Sequence, residues 1–435
     1  AAVIIYLAKR KSSMPHYNAV LARNADNVVK DPLSSHTAAF SHYNNLSAQL
    51  PVDISTGRLV AGDAAAQAAQ CLKNIQAILS SIDHVLNDVV RLTVHLTSAK
   101  DLDAVAGVCR AWFPVRAPSL TMAVVAALPM GARVQIDALV SNGEGTIPDA
   151  PQPGDLIKLT NATGRAPSSP LSAQTVAFSH YNNLTCQLPV DPRTGRVVEG
   201  GIRAQAARCL NNIKAILESI DVPMDDIVKV TIYLQDLADI EQVNEVYRTF
   251  FPDSAIARAV GYLPARTVVA ASGLPMGALV QMEAVVSHGD GTPPQKVEDR
   301  HGIVIRAYNT DRAPRCPHAT QSVAFSHYNH LSALLPLELK TGRLTAGGAG
   351  EQAALCLAYM QAIVESSGHA LEDVVKVNIF LTDMADAGAV DAAYRQYFPT
   401  GTPARRVLGV AALPQGARVQ MDAVVANAEG TPPQA

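Results

Sequence analysis

The chain has no CxxC pair, few aromatic residues and no large charge surplus of either sign. Its six cysteines are scattered over 435 residues. Without paired or metal-ligand spacing they give no disulfide framework and no zinc motif, which fits a reducing compartment. Cys71, Cys209 and Cys356 fall at one recurring place in a helical pattern and read as small buried hydrophobes. A formal net charge of −3 gives no bulk attraction for a polyanion. There is no basic stripe, aromatic stacking motif or RNA-binding signature, so nucleic acid is not an expected partner. The one notable apolar run, AAVIIYLA at the start, is far short of the roughly 20 residues that span a bilayer, and no membrane role is expected. Residues 1–15 are basic, contain Ser and lack acids, as in an organellar transit peptide. The expected location is the cytoplasm, or the mitochondrion if that segment is a targeting signal.

The sequence does hold a repeat. The string FSHYN occurs at residues 40–44, 178–182 and 325–329. This spacing is too long for a solenoid unit and suits a whole small domain, in line with the three domains the length suggests. The likeness runs on. QLPVDISTGRLVAGD, QLPVDPRTGRVVEGG and LLPLELKTGRLTAGG match, as do ALPMGARVQIDALV, GLPMGALVQMEAVV and ALPQGARVQMDAVV. Each copy closes on a Gly/Pro punctuator. The expected domains are residues 16–148, 149–295 and 296–435, after an extension of residues 1–15.

In the middle copy, VAFSHYNNLTCQLP reads as a strand ending at Pro189, and DPRTG as a turn. Ala206, Leu210, Ile213, Leu217 and Ile220 mark an amphipathic helix. Val228, Val230, Ile232 and Leu234 alternate as a half-buried strand. EQVNEVYRTFF predicts a shorter helix, and ARTVVAASGLP and ALVQMEAVVS two further strands. Each copy is thus an α+β unit, a mostly antiparallel sheet with two helices on one face. The uncovered faces of three such sheets are expected to pack around a pseudo-threefold axis.

These motifs resemble the reactive intermediate deaminase family, also called YjgF-like or L-PSP endoribonuclease-like. The most specific stretches are PARTVVAASGLPMGALVQMEAVV at 264–286 and PARRVLGVAALPQGARVQMDAVV at 403–425. The resemblance implies three tandem chorismate-mutase-like domains forming an intramolecular pseudo-trimer. It also implies hydrolysis of imines and enamines, such as 2-aminoacrylate and 2-iminobutanoate, to 2-keto acids and ammonia. The expected partners are therefore small imino and keto acids, and no cofactor is implied. Sites are expected in the clefts between copies. There Arg266 and Arg405 bind the substrate carboxylate, and the acids of the last strand, Glu283 and Asp422, act as catalytic groups. Thr185, Cys186, Ser332, Ala333 and Asn244 complete the expected binding set, with Arg266, Thr185 and Glu283 grouped as its best-preserved part.

The chemistry is reasonable from the residues themselves. A guanidinium holds a carboxylate bidentately. A free imine hydrolyses unaided, so placement and a water suffice. An Arg beside an acid on a neighbouring strand is, however, often only an ion pair. In the first copy Leu120 occupies the arginine position and cannot hold a carboxylate, so a Leu120→Arg change is expected to supply the missing cation. Asn244 becomes Ala106 in the first copy and Asp391 in the third. Alternation along a strand would put the His and Tyr of FSHYN on opposite faces, with His42, His180 and His327 as packing residues. A three-His metal site lacks Cys or Glu partners and is not expected. Two other function classes fit the same fold: a non-catalytic small-molecule-binding or scaffold protein, and a single-strand endoribonuclease.

Overall fold

A computed structural model describes residues 20–142, 157–251, 262–287 and 305–427. The expected domain boundaries, the Gly/Pro punctuators from residue 143 on, and the extension of residues 1–15 lie outside this set. Each copy builds one six-stranded sheet. In the middle copy the opening strand Lys158–Thr160 pairs with the hairpin Thr175–Phe178 and Tyr181–Leu184. The hairpin adds to the last strand Val280–Ser287, which pairs with the central strand Ile227–Leu234. The arginine strand Ala265–Ala270 closes the edge. All pairs are antiparallel except the central and arginine strands, which run parallel. The long helix Gly201–Ser219 and the short helix Ile240–Phe250 cover one face.

The helix–sheet core follows from the apolar stripe. Cys209, Leu210, Ile213 and Ile216 are buried against Ile232, Val280 and Met282. The cysteines behave as small apolar side chains, and burial raises the Cys209 thiol well above its ordinary value. The shorter helix turns Val243 and Tyr247 into the same core.

One expectation fails. FSHYN is not one strand but the tip of a hairpin: Phe178 pairs with Tyr181 across a two-residue turn of Ser179 and His180. Ser41, Ser179 and Ser326 take φ of 50°, 52° and 52°. A positive φ at the first central position matches the twist of paired strands. The segment lacks the Asn-Gly or Gly signal that normally reveals such a turn. His42, His180 and His327 thus sit in turns rather than on a strand face.

The helix-free faces pack around a pseudo-threefold axis. Phe40, Phe178, Phe325 and Tyr43, Tyr181, Tyr328 form an apolar cluster between the copies. The tyrosine hydroxyls run round the ring, Tyr43 donating to the Phe178 carbonyl, Tyr181 to Phe325 and Tyr328 to Phe40. Val125, Leu128, Ala271, Leu274, Val410 and Leu413 belong to a second inter-copy cluster. Because each sheet buries its open face on the other two, a single chain should need no second copy. Light scattering of dilute protein is expected to give a mass near 45.9 kDa; a mass three times larger would refute this.

Candidate functional site

Three clefts form where the arginine strand of one copy meets the next. Arg266 N donates to Ser332 Oγ at 3.0 Å, and Ala333 N to the Arg266 carbonyl at 3.0 Å. The third copy meets the first through Arg405 N to Ser47 Oγ (3.0 Å) and Ala48 N to the Arg405 carbonyl (3.0 Å). The first meets the second through Leu120 N to Thr185 Oγ1 (3.1 Å) and Cys186 N to the Leu120 carbonyl (3.0 Å). Ser332 and Ala333, not Thr185 and Cys186, therefore face Arg266. Thr185 and Cys186 serve the cleft that has no cation. Cys186 turns into the inter-copy apolar cluster, where burial pushes its thiol well up.

The two arginines share a platform. Each guanidinium is buried, and lies over a tyrosine of the short helix, Arg266 on Tyr247 at 4.9 Å and Arg405 on Tyr394 at 5.0 Å. Planar stacking of this kind orients an Arg and favours its charge. The two then differ. Arg266 Nη2 donates to the neutral Asn244 Oδ1 at 2.7 Å, and its Nη1 is buried with no hydrogen-bond partner among the described residues. Arg405 Nη1 donates to Asp391 at 2.7 Å, and Asp31 lies 3.6 Å from its Nη2. One cation is open to a ligand and the other already holds two carboxylates.

His318 of the third copy joins the Arg266 cleft. Arg248 Nη2 donates to its Nε2 at 3.3 Å. Arginine can only donate, so a neutral ring carries its proton on Nδ1. Burial, then the charges of Arg266 and Arg248, lower its pKa. That Nδ1 is buried without a partner among the described residues. His318, Tyr247, Tyr394 and Asp31 escape the sequence reading. The tyrosines were visible by aligning the copies: where Arg gives way to Leu120, Tyr gives way to Cys109 and Asn to Ala106.

The last-strand acids are elsewhere. Arg266 and Val268 point to the helix side of their strand, while Thr267 and Val269 point to the axis. Glu283 accepts from Thr121 of the first copy, and Asp422 from Thr267 of the second at 2.6 Å. Both acids line a cavity of about 70 Å³ on the axis, with Lys229, Lys376, Arg406 and Asp137. The grouping of Arg266 with Glu283 is thus not realised, because the two side chains lie on opposite faces of the sheet, with the central strand Ile227–Leu234 between their own strands. Asp422 also accepts from Asn378 (2.7 Å) and lies 3.3 Å from Lys229 Nζ. Burial alone would raise its pKa, but Lys229, Thr267 and Asn378 bring it below the ordinary value. A carboxylate so held is a poor proton acceptor.

Leu120→Arg is therefore not expected to create a third site. The new guanidinium would meet Ala106 and Cys109, which are buried and apolar in character, in place of Asn and Tyr. Burying an unpaired charge is costly. The single variant should unfold at lower urea than wild type and gain no keto-acid binding. The triple variant Leu120→Arg, Ala106→Asn, Cys109→Tyr is expected to recover part of both.

The family model described as Endoribonuclease L-PSP matches this chain three times, over residues 34–142, 165–288 and 314–427. The chain belongs to the Endoribonuclease L-PSP family. A RutC family protein of Pyrococcus abyssi is 41% identical over 119 residues, 27% of this chain and 87% of that protein. The 2-iminobutanoate/2-iminopropanoate deaminase of Rattus norvegicus is 30% identical over 138 residues, 32% of this chain and 95% of that enzyme. Among solved structures, a putative endoribonuclease of Thermotoga maritima is 32% identical, with TM-score 0.28, 28% of this chain covered and 97% of that one. E. coli TdcF with bound serine is 28% identical, with TM-score 0.27, 28% of this chain covered and 99% of that one. This L-PSP chain thus carries three family domains where each of these relatives is matched over one.

Proposed function

We propose that the chain is a hydrolytic deaminase of small 2-imino acids, working at the Arg266 cleft. The observation that carries this reading is the buried Arg266 guanidinium, stacked on Tyr247 and fixed by Asn244, with its Nη1 left unpaired among the described residues at a boundary between copies. A buried unsatisfied donor is costly, and a substrate carboxylate satisfies it. The neutral His318 beside it adds its own Nδ1–H without adding charge. Water adds to the imine carbon, the carbon–nitrogen bond breaks, and ammonia leaves a 2-keto acid. An enamine reaches the same point after tautomerising to the imine. The protein's task is to fix the carboxylate and present the C=N to water in one geometry. The names of the deaminase relatives support the reaction class.

The test is ammonia release from freshly generated 2-aminoacrylate, followed beside a titration with 2-oxobutanoate. Release above the spontaneous rate, with binding of the keto acid, supports the reading. Keto-acid binding without rate enhancement would favour the non-catalytic binding protein, and neither would favour a scaffold. Single-stranded RNA should not be cut in a manner that depends on Arg266 or Arg405. Loss of a nuclease activity in folded Arg266→Ala or Arg405→Ala protein would instead promote the endoribonuclease reading.

A further inference from the structure

The three copies have diverged at their clefts. The arginine is lost once, and the helix Asn is replaced twice, by Ala106 and Asp391. His42, His180 and His327 are kept in all three. A cleft needs one arginine and works alone, whereas a role that demands one side chain from every copy needs a single shared point. The hairpins provide that point. The three rings meet on the axis with centroids 4.9, 5.1 and 5.2 Å apart. One ring nitrogen from each lies within 4.8 Å of the other two.

We propose that these imidazoles bind one divalent transition-metal ion of zinc's class, joining the three hairpins. Equidistant nitrogens at that outer limit stand about 2.8 Å from their common centre, against about 2.0–2.1 Å in a zinc–histidine bond. Small ring rotations close the difference. Three neutral imidazoles leave the fourth tetrahedral position to water or an anion, and the donor type suits zinc, cobalt and nickel. His180 is buried and the other two are half-buried, so an ion has a way in.

The supports around the rings fit a built site. Asn142 N donates to the His42 carbonyl and Asn427 N to that of His327, both at 2.6 Å. The same asparagines donate from Nδ2 to the Ser41 and Ser326 carbonyls at 3.1 and 2.7 Å. Asn142 is held in turn by Asn44 (2.9 Å) and Asn427 by His369 (2.9 Å). Each His ring meets the edge or face of a neighbouring copy's Phe at 6.4 Å. Rigid turns of this kind limit the reorganisation needed to close on a metal.

The test strips the full-length chain with a chelator and titrates it with Co(II). The expected result is one ion per chain with the intense visible bands of tetrahedral cobalt, displaced by one equivalent of zinc. His180→Asn should weaken binding beyond the roughly 10- to 100-fold that loss of an outer-shell partner costs. Arg266→Ala should leave the cobalt signal intact, which separates this site from the cleft. Three rings that merely pack would give no tetrahedral bands at one equivalent, and that outcome overturns the proposal. So would a folded His42→Asn/His180→Asn/His327→Asn triple variant that retains them. If the variants do not fold, the wild-type stoichiometry and bands decide alone.

Discussion

Arg266→Ala is expected to remove most 2-oxobutanoate binding from the chain, while Arg405→Ala changes it little. A hydrogen bond to a charged group contributes about 1.5–3 kcal/mol, so losing the Arg266 contact should weaken its cleft about 10- to 150-fold. Arg405 starts from a different state. Its charge already faces Asp391 at 2.7 Å and Asp31 at 3.6 Å, and a keto-acid carboxylate must displace or crowd them. Asp391→Asn, which gives the third copy the amide that the second has in Asn244, should therefore raise affinity at Arg405. Titration calorimetry on the three variants checks this. Equal losses from Arg266→Ala and Arg405→Ala would show that the two acids do not block the second cleft.

Asp422→Ala should destabilise the protein by about 3–5 kcal/mol, the usual result of removing one partner from a buried ion pair. Lys229 would keep its contacts with Thr267 and the Leu331 carbonyl but lose its counter-charge. The folded pKa of Asp422 lies below the unfolded value of about 3.9, so its contribution is fully present above that pH. It is lost as pH falls through the folded value. The acid limb of the stability curve should accordingly flatten in the variant. Urea unfolding at neutral and acid pH measures both effects. Because a sheet strand stands between Asp422 and Arg266, folded Asp422→Ala protein should still bind 2-oxobutanoate. Loss of binding with the fold intact would restore the acid to the cleft.

The repeats made most of the fold legible. Helix and strand periods in the middle copy fall where Gly201–Ser219, Ile227–Leu234 and Ile240–Phe250 stand. The hairpin at FSHYN was hidden because Ser takes the positive φ there without a glycine to announce it. The clefts were half legible. Arg266, Arg405 and Leu120 could be read from one column of the repeat. Alternation shows that Gln281 and Glu283 share a face, but not which face the neighbouring strand gives its arginine. Nor does it show which copy supplies each small residue. Thr185 looked like Arg266's companion because both lie in the second copy, yet the clefts join residues of different copies. Tyr247 and Tyr394 are buried in the helix–sheet cores; their use as a bed for guanidinium appears only when the columns are compared.

The ring has one consequence for how it closes. The Leu120–Thr185 and Arg266–Ser332 contacts join residues 65 and 66 apart in sequence, while Arg405–Ser47 joins residues 358 apart. Chain-closure entropy grows only as the logarithm of length, so the third boundary costs roughly 1.5 kcal/mol more to form than either of the others. Two boundaries are therefore expected to assemble from neighbours in sequence, with the one between the first and third copies closing after them. The Asp31–Arg405 ion pair sits on that slowest boundary. There an arginine already paired with acids adds to the contacts that close the ring.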